Sequence, residues 1–589
     1  MPQAYELAAT TAPGSPTMRH DEGFETPPVD RDLHKRTLRK LDFLLLPFLA
    51  LLFLFNSLDK SNIGNAESAH FTRDIGLERS DLNTAVALFF AFFVTLQPAG
   101  AALGRRYGMV AWVPSCMVLW GISTALHTWV RAKWQLYTLR ILIGCLEAGF
   151  YACTVSYLSL FYTRYEFGRR LSLFYGQAAV GGALGGILSY IVFSRFPDNN
   201  DDHEEGTAPA LGRKWQSWQI LFLLEGSLTI VVAFVGYFWL PHSVETAWFL
   251  TPVERAYASS RVIQDRAEQT QAAIGSHEEQ DEEAEYDEES RGLLNTSQAT
   301  ATVGIQGTIT DDRGLTPHDI LAAIVSPNIW HILACNILSA IPVYAFSVFL
   351  PLVLAPFTET PNPALVNLLT APPYICGATT LYFFASYSDK HRKRITPVLS
   401  GLVVLITGLF LVVLLPTTKA WAIPRYLALN VLLSGTFIAS PLTVAWISGN
   451  TPSPGKRALL LGINGWGNLA GIISAMFFKP KYADTGYIIP FIWTLACVSA
   501  SAGGYVLFWR NLKAENARRR AILSSWDEAD VEKERLFGQG PLDNEYRIIR
   551  WVAGVLKKFE RARGVVEWWE DAAASGREGD ERLTFVYGL

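Results

Sequence analysis

What most constrains this chain is a series of twelve long apolar stretches, six before and six after a polar, acid-rich interval near Val244 to Pro327. A run of about 20 apolar residues crosses the hydrocarbon core of a bilayer as a helix. Backbone N–H and C=O groups find no water there, so each stretch has to satisfy itself as a helix. The pattern predicts spans at Leu41–Gly64, Asp81–Leu103, Met109–Val130, Trp134–Tyr162, Leu171–Phe193 and Trp218–Leu240. A second set is predicted at Asn328–Leu350, Ala364–Ser388, Thr396–Pro416, Pro424–Gly449, Arg457–Phe478 and Tyr487–Trp509. The expected fold is all-α and membrane-embedded, with 12 helices in two pseudo-symmetric halves over 41–240 and 328–509. A tail of 1–40, a central loop of 241–327 and a tail of 510–589 flank them.

Charge placement orients the bundle. Arg31, Lys35, Arg36, Arg39 and Lys40 precede the first span, and Arg510, Lys513, Arg518, Arg519 and Arg520 follow the last, so both ends are expected in the cytoplasm. The same side receives Arg105, Arg106, Arg164, Arg169, Arg170, Lys390, Arg392, Lys393, Arg394, Lys456 and Arg457. On the opposite side, Arg195, Arg213 and Lys214 are offset by Asp198, Asp201, Asp202, Glu204 and Glu205. Hydrophobic residues make up 50% of the chain and the net charge is only -4, which points to lipid as a partner and away from nucleic acid. The six cysteines lie inside apolar stretches without CxxC spacing or histidine neighbours, so they read as small helix-packing residues and not as a zinc site. Met1–Lys40 lacks the apolar core of a cleavable signal, leaving the first span to target the chain, and Pro2 excludes N-myristoylation. The central loop carries Glu278, Glu279, Asp281 and further acids, and is expected to be disordered over about 264–313 because it lacks apolar surface to bury. Asn295 heads a glycosylation acceptor that would go unused in the cytoplasm, and Ile548–Trp569 looks amphipathic enough to lie along the inner membrane surface.

Paired loops carry an internal repeat. After the second span comes Ala101-Ala102-Leu103-Gly104-Arg105-Arg106-Tyr107-Gly108, and after the eighth comes Ala385-Ser386-Tyr387-Ser388-Asp389-Lys390-His391-Arg392-Lys393-Arg394. Both resemble the loop pattern GxLaDRxG of the major facilitator superfamily. The first copy departs from it, with Arg105 where the acid is expected, and alanine replaces the leading glycine in both. Arg105, Arg106, Asp389, Lys390 and Arg394 are therefore the conformational-loop candidates, with Asp389 the better one for a salt-bridge latch and a plain positive-inside anchor the preferred role of Lys393 and Arg394. Leu139-Arg140-Ile141-Leu142-Ile143-Gly144-Cys145-Leu146-Glu147-Ala148-Gly149-Phe150, then Tyr157-Leu158 and Phe161-Tyr162, resemble RxxxGxxEAxF and YLxxWY of the anion:cation symporter family. Phe222–Gly226 and Leu240–Ala247 resemble that family's FxxEG and LPxxPExA, and Phe346–Pro351, Pro372-Pro373-Tyr374 and Gly467–Gly471 continue the likeness. It spans roughly Arg39 to Arg520 and is closest to the fungal allantoate permease branch, which implies import of small organic anions such as ureides, vitamins and carboxylates. Gly181, Gly182, Gly185 and Gly186 resemble part of the antiporter motif of drug exporters without its proline, and Pro241–Ala247 lacks the arginine of the sugar-porter PESPR.

Ionisable groups at membrane depth are costly unless paired, which makes them default functional candidates. Here they are Asp59, Lys60, Arg140, Glu147 and Glu225. The polar stretch Asn56–Asn65 would be unfavourable against lipid, so Asp59 and Lys60 are expected to face a central cavity, where the family resemblance also places a substrate-binding acid–base pair. Arg140 and Glu147 are seven residues apart and share a helix face. Asp59 and Glu147 are expected to carry the proton. Lys60, Asn65, Arg140, Gln177, Tyr344 and Asn464 are the substrate-binding candidates; a fixed Arg140–Glu147 salt bridge and aromatic packing of Tyr344 are the competing roles. Glu225 and Asn468 read as helix-packing groups.

No constellation for enzyme chemistry emerges, since the histidines are scattered and no phosphate-binding glycine loop is present. The reading is a monomeric carrier of a small organic anion, with no cofactor and a proton gradient as its driving force, in the plasma membrane or, alternatively, a vacuolar or other endomembrane. A non-transporting nutrient sensor and a proton-driven exporter are the alternatives.

Overall fold

The computed structural model describes residues 31–158, 160–163, 166, 170, 174, 176–197, 215–262, 324, 326–357, 362–391, 393–451, 454–537, 541, 582–585 and 587. The first half consists of α1 (Asp32–Ser68), α2 (Arg79–Tyr107), α3 (Met109–Leu126), α4 (Lys133–Leu158), α5 (Gln177–Arg195) and α6 (Ser217–Trp239). The second consists of α7 (Pro327–Leu354), α8 (Ala371–His391), α9 (Ile395–Leu414), α10 (Ala422–Ile447), α11 (Leu459–Phe477) and α12 (Ile488–Leu523). Among the described residues, 11 helices are long and apolar enough to cross a membrane. The twelfth, α8, is diluted by Thr379, Thr380, Ser386, Ser388, Asp389 and Lys390.

Each half repeats one packing scheme. In the first, α1 packs on α5, α2 on α4 and α3 on α6; in the second, the equivalent pairs α7–α11, α8–α10 and α9–α12 recur. The halves join through α1–α7, α2–α11 and α5–α8. A two-fold rotation that exchanges α1 with α7 turns α2–α11 into α8–α5, so the interface has the symmetry of the repeat.

Four spans differ at their ends from the sequence expectation. Helix α1 starts at Asp32 and runs to Ser68, well beyond Leu41–Gly64, and α12 continues to Leu523, past Trp509. Both extensions are polar helix leaving the membrane, which a search for apolar runs cannot register. The stretch expected as Ala364–Ser388 is broken: a short helix Pro363–Leu368, capped by Asn362, ends in a turn at Leu369 and Thr370 before α8 begins at Ala371. Pro372 and Pro373 fall in the first turn of α8, where their missing N–H groups leave no gap in the ladder. Helix α4 stops at Leu158, short of Tyr162.

Close helix approach depends on small residues. On α5, Gly181 and Gly185 face Ser57 and Ser61 of α1, whereas Gly182 and Gly186 face Tyr374 of α8 and Thr370 before it. Two i,i+4 pairs on adjoining faces thus let α5 fit between its own half and the other. The crossing of α2 and α4 brings Gly100 against Gly149, where a Cβ on Gly100 would sit 2.6 Å from the Gly149 nitrogen. The free cysteines are buried or half-buried in the helices, as small packing residues are.

Candidate functional site

Five charged side chains converge inside the first half, and helix geometry sorts them into two groups. Consecutive residues on an α-helix point about 100° apart. Asp59 therefore turns toward α3 and α6, while Lys60 turns toward α2 and α4. Thr124 Oγ1 of α3 donates to Asp59 Oδ1 at 2.8 Å, and Asn62 Nδ2 donates to the same oxygen at 3.2 Å. Arg140 of α4 donates through Nη1 to the Asp59 carbonyl at 3.4 Å and through Nη2 to Asn62 Oδ1 at 3.1 Å. Glu225 of α6, fully buried, faces Asn62 and Arg140 with Asp59 beside it. His127 completes the wall, with Nδ1 2.8 Å from the Ser123 carbonyl and its ring stacked on Phe222. Asp59 and Arg140 are 2% and 3% exposed, and Asp59 Oδ2 meets no donor among the described residues.

The second group is built on Lys60. Its Nζ lies 3.0 Å from Glu147 Oε2 and 2.5 Å from Asn56 Oδ1, and 5.3 Å from the centre of the Phe93 ring. Lys60 keeps 14% of its side chain exposed, whereas Glu147 is sealed. This arrangement corrects one expectation and removes one competing role. Asp59 and Lys60 do not face one cavity together, because adjacent positions on α1 address different helices and Asp59 is enclosed within its own half. Arg140 and Glu147 share a face of α4 but do not pair, since seven residues separate them by about 10 Å along the axis. Each instead meets the α1 residue at its own level.

The second half contributes neutral polar groups. Asn336 of α7 donates through Nδ2 to Asn464 Oδ1 at 3.2 Å, and the Tyr344 hydroxyl donates to Asn468 Oδ1 of α11. Asn464 precedes, and Asn468 lies within, a short 3-10 stretch, Gly465–Leu469, that interrupts the helical run of α11. Gln97 of α2 reaches across to Gly465, and Phe90 stands edge-on to Tyr344 at 5.1 Å, so these amides lie where the halves meet. Gln177 is half-buried at the start of α5. Asn65 is buried on α1 against Gly185 of α5, and its carbonyl accepts from Ser68 Oγ at 2.6 Å, a position between helices of one half.

At the loops after α2 and α8, Arg106 lies 5.8 Å over the Tyr107 ring and Lys390 is exposed. Arg394 Nη1 donates to Ser388 Oγ at 3.0 Å, and Ser388 Oγ donates to the Lys393 carbonyl, closing the turn between α8 and α9. The side chains of Arg105 and Asp389 lie outside those described, as do Asn295, the acidic stretch 264–313 and Ile548–Trp569. Sequence reasoning missed an ionic rim on the first half. Asp42 accepts from Arg170 at 2.5 and 2.7 Å, Glu166 from Arg261 at 2.8 Å, and Glu254 from Lys40 at 2.7 Å. Burial alone would raise the Glu254 carboxyl, but the bonds from Lys40 and Thr251 outweigh it and hold the group below its ordinary value. Glu225, expected at membrane depth, lies nine residues into the 23-residue apolar helix α6 and is buried there.

Comparison with known proteins agrees with this architecture. The family model described as Major Facilitator Superfamily matches residues 49–475. The major facilitator-type transporter hxnP of Emericella nidulans is 27% identical over 529 residues, covering 88% of this chain and 94% of that protein. The high-affinity nicotinic acid transporter of Saccharomyces cerevisiae is 26% identical over 528 residues, covering 89% and 84%. Among solved structures, the proton:xylose symporter XylE superposes with a TM-score of 0.55 at 15% identity over 80% of this chain and 95% of that one. A bacterial homologue of the lysosomal transporter Spinster gives 0.54 at 13% identity, over 79% and 96%. With a family match over most of its length and twelve helices in two related halves, this chain belongs to the Major Facilitator Superfamily, and it is a multi-pass membrane transporter, not an enzyme.

Proposed function

We propose that this transporter takes up a small organic anion together with a proton, through alternating access of a site at the junction of its halves. The observation that carries the reading is the Lys60–Glu147 ion pair: a cation with part of its surface still accessible, held by a sealed carboxylate at 3.0 Å. An incoming carboxylate competes with Glu147 for Lys60. Once displaced, Glu147 is a buried acid without its counter-ion, a state of high energy that proton uptake relieves. Anion and proton then strengthen each other's binding, and the coupling is reciprocal. Loading both leaves the cavity less charged, which favours the rocking step.

Asp59 supplies a second place for the proton. Asp59 and Glu225 share the single guanidinium of Arg140, so that cluster holds one more acid than it has bases to match. Arg140 then acts on substrate through Asp59 and the α1 backbone and not by direct contact. Asn336, Asn464 and Tyr344 offer hydrogen bonds to the neutral part of the solute. The relative named as a nicotinic acid transporter carries an organic acid, which supports this substrate class, and the allantoate-permease motifs point the same way.

Reconstituted protein tests the reading. Proteoliposomes acidic outside are offered labelled nicotinate, pantothenate, allantoate, thiol acids and dicarboxylates in turn. The expected result is accumulation of one of these above equilibrium, collapsed by a protonophore. Accumulation that ignores the proton gradient, or failure of every acid to enter, would sink the proposal.

A further inference from the structure

At the end of the bundle opposite the chain termini, the halves are tied by a small set of polar bonds. Asn83, in the first turn of α2, uses both protons of its amide: one goes to the Ala475 carbonyl at 2.8 Å and the other to the Phe478 carbonyl at 2.9 Å. These acceptors sit at the C-terminal end of α11, where the helix supplies no downstream N–H. Close by, Asn367 Nδ2 donates to Ser68 Oγ of α1 at 2.7 Å. Asn83 and Asn367 are both buried. Beneath this layer Gly64 rests directly on the Val348 backbone, with no room for a Cβ.

Above it opens a crevice of about 240 Å³ whose walls include Glu67, Arg79, Phe478, Asp484, His70 and Tyr487. His70 and Tyr487 are the two non-glycine residues with left-handed backbone among the described residues, at φ 64 and φ 58. One belongs to each half and both face this crevice. Left-handed backbone at a non-glycine residue is uncommon, and here it occurs on both sides of one joint.

We propose that Asn83 is the clasp of the outer gate, a positioning residue that sets the balance between outer-closed and outer-open forms without touching substrate. In the closed form its amide replaces water at two carbonyls that would otherwise be buried dry. In the open form water reaches them and the amide is not needed. Removing the donors therefore penalises the closed form alone. The inference rests on the transporter reading only for the rocking motion itself and uses neither the anion nor the proton.

The test uses full-length protein in lipid nanodiscs carrying Val348→Cys, a site 2% exposed just under the clasp, and measures its modification rate by a polar maleimide. Protein with Val348 retained corrects for the native cysteines. Asn83→Asp keeps the side-chain shape and removes both donors; leaving one or two buried carbonyls unmet is expected to raise the rate about tenfold. Ser68→Ala is expected to raise it less. A rate for Asn83→Asp within about twofold of the parent, smaller than a single lost hydrogen bond produces, overturns the clasp. Should Asn83→Asp fail to fold, Asn83→Ala and Ser68→Ala decide by the same readout, and no change in either overturns it. Because labelling needs no substrate, a flat result leaves the organic-anion reading standing, and failed uptake leaves the clasp standing.

Discussion

The two halves share one helix-packing scheme and differ in what they bury. Inside the first lie Asp59, Lys60, Arg140, Glu147 and Glu225 on α1, α4 and α6, with His127 in the turn after α3. In the second, the only acid on any of the six helices up to Trp509 is Asp389, near the end of α8; the polar groups near the junction of the halves are the neutral Asn336, Tyr344, Asn464 and Asn468, and the buried Arg425 near the start of α10 donates to the Gly486 carbonyl at 3.3 Å. A buried charge changes its energy steeply when a partner arrives or leaves, whereas an amide exchanges one neutral partner for another with little net change. Under the proposed function, the contrast would put energy coupling in the first half and recognition of the solute's neutral body in the second. The symmetric interface shows one scaffold carrying two different interior chemistries.

The largest expected effect removes the accessible charge. Lys60→Gln takes away the anion's partner and leaves Glu147 unpaired in a sealed position, and breaking a buried pair from one side costs about 3–5 kcal/mol. Uptake should fall at least ~100-fold at equal membrane abundance, with Lys60→Arg restoring part of it. Near-normal uptake by Lys60→Gln would dissolve the division of labour between the halves. Next comes Asp59→Asn, expected to abolish accumulation against a gradient while exchange of labelled for unlabelled substrate continues. If uphill uptake survives, Asp59 has no part in coupling and Glu147 is left as the carrier.

How far this contrast was legible in the sequence depends on the kind of information each part needs. Apolar runs twenty residues long announce helices by themselves, and the charges within them stand out against that background. Which charge meets which does not follow, because Asp59 and Lys60 differ by 100° of rotation that only the packed bundle converts into different neighbours. Spacing put Arg140 and Glu147 on one face correctly, yet the partners came from α1 at two separate levels. Helix ends were misread where polar helix continued outward, at Asp32 and Leu523, since no drop in apolarity marks the end of a helix that has left the membrane. The break before α8 was written in Pro372-Pro373, which open helices far more readily than they continue them. Asn83 gave no signal at all: its acceptors lie 392 and 395 residues away.

A smaller effect is expected from the second half. Asn464→Ala removes the acceptor of Asn336 and one polar contact for the solute, and a net hydrogen bond is worth about 0.5–1.5 kcal/mol. The half-saturation concentration should rise about three- to tenfold, with the number of protons moved per solute unchanged. A change in that stoichiometry would mean that the second half takes part in coupling and would break the comparison.

The rims at the end of the bundle nearest the chain termini sharpen it at the smallest scale. On the first half the rim is ionic, with Lys40–Glu254, Arg170–Asp42 and Arg261–Glu166 tying the chain's N-terminal helix and the loop after α4 to residues 252–262. On the second, Asn516 and Arg519 of α12 grip the backbone of Arg582, Phe585 and Tyr587, a contact carried mainly by neutral carbonyls. The ionic rim of the first half should therefore respond to moderate acid. Glu254 sits below its ordinary value of 4.5, so its pairing stabilises the fold fully above that value and the contribution fades as pH falls through the lowered one. Lys40 is 37% exposed, which limits the pair to under about 1 kcal/mol after screening. Melting of purified Glu254→Gln should thus trail the parent slightly and by a constant margin between about pH 5 and 7, with the margin closing in stronger acid. A margin that widens on acidification would have the wrong sign for a depressed carboxylate and would remove the ionic rim from the account of how the first half is held.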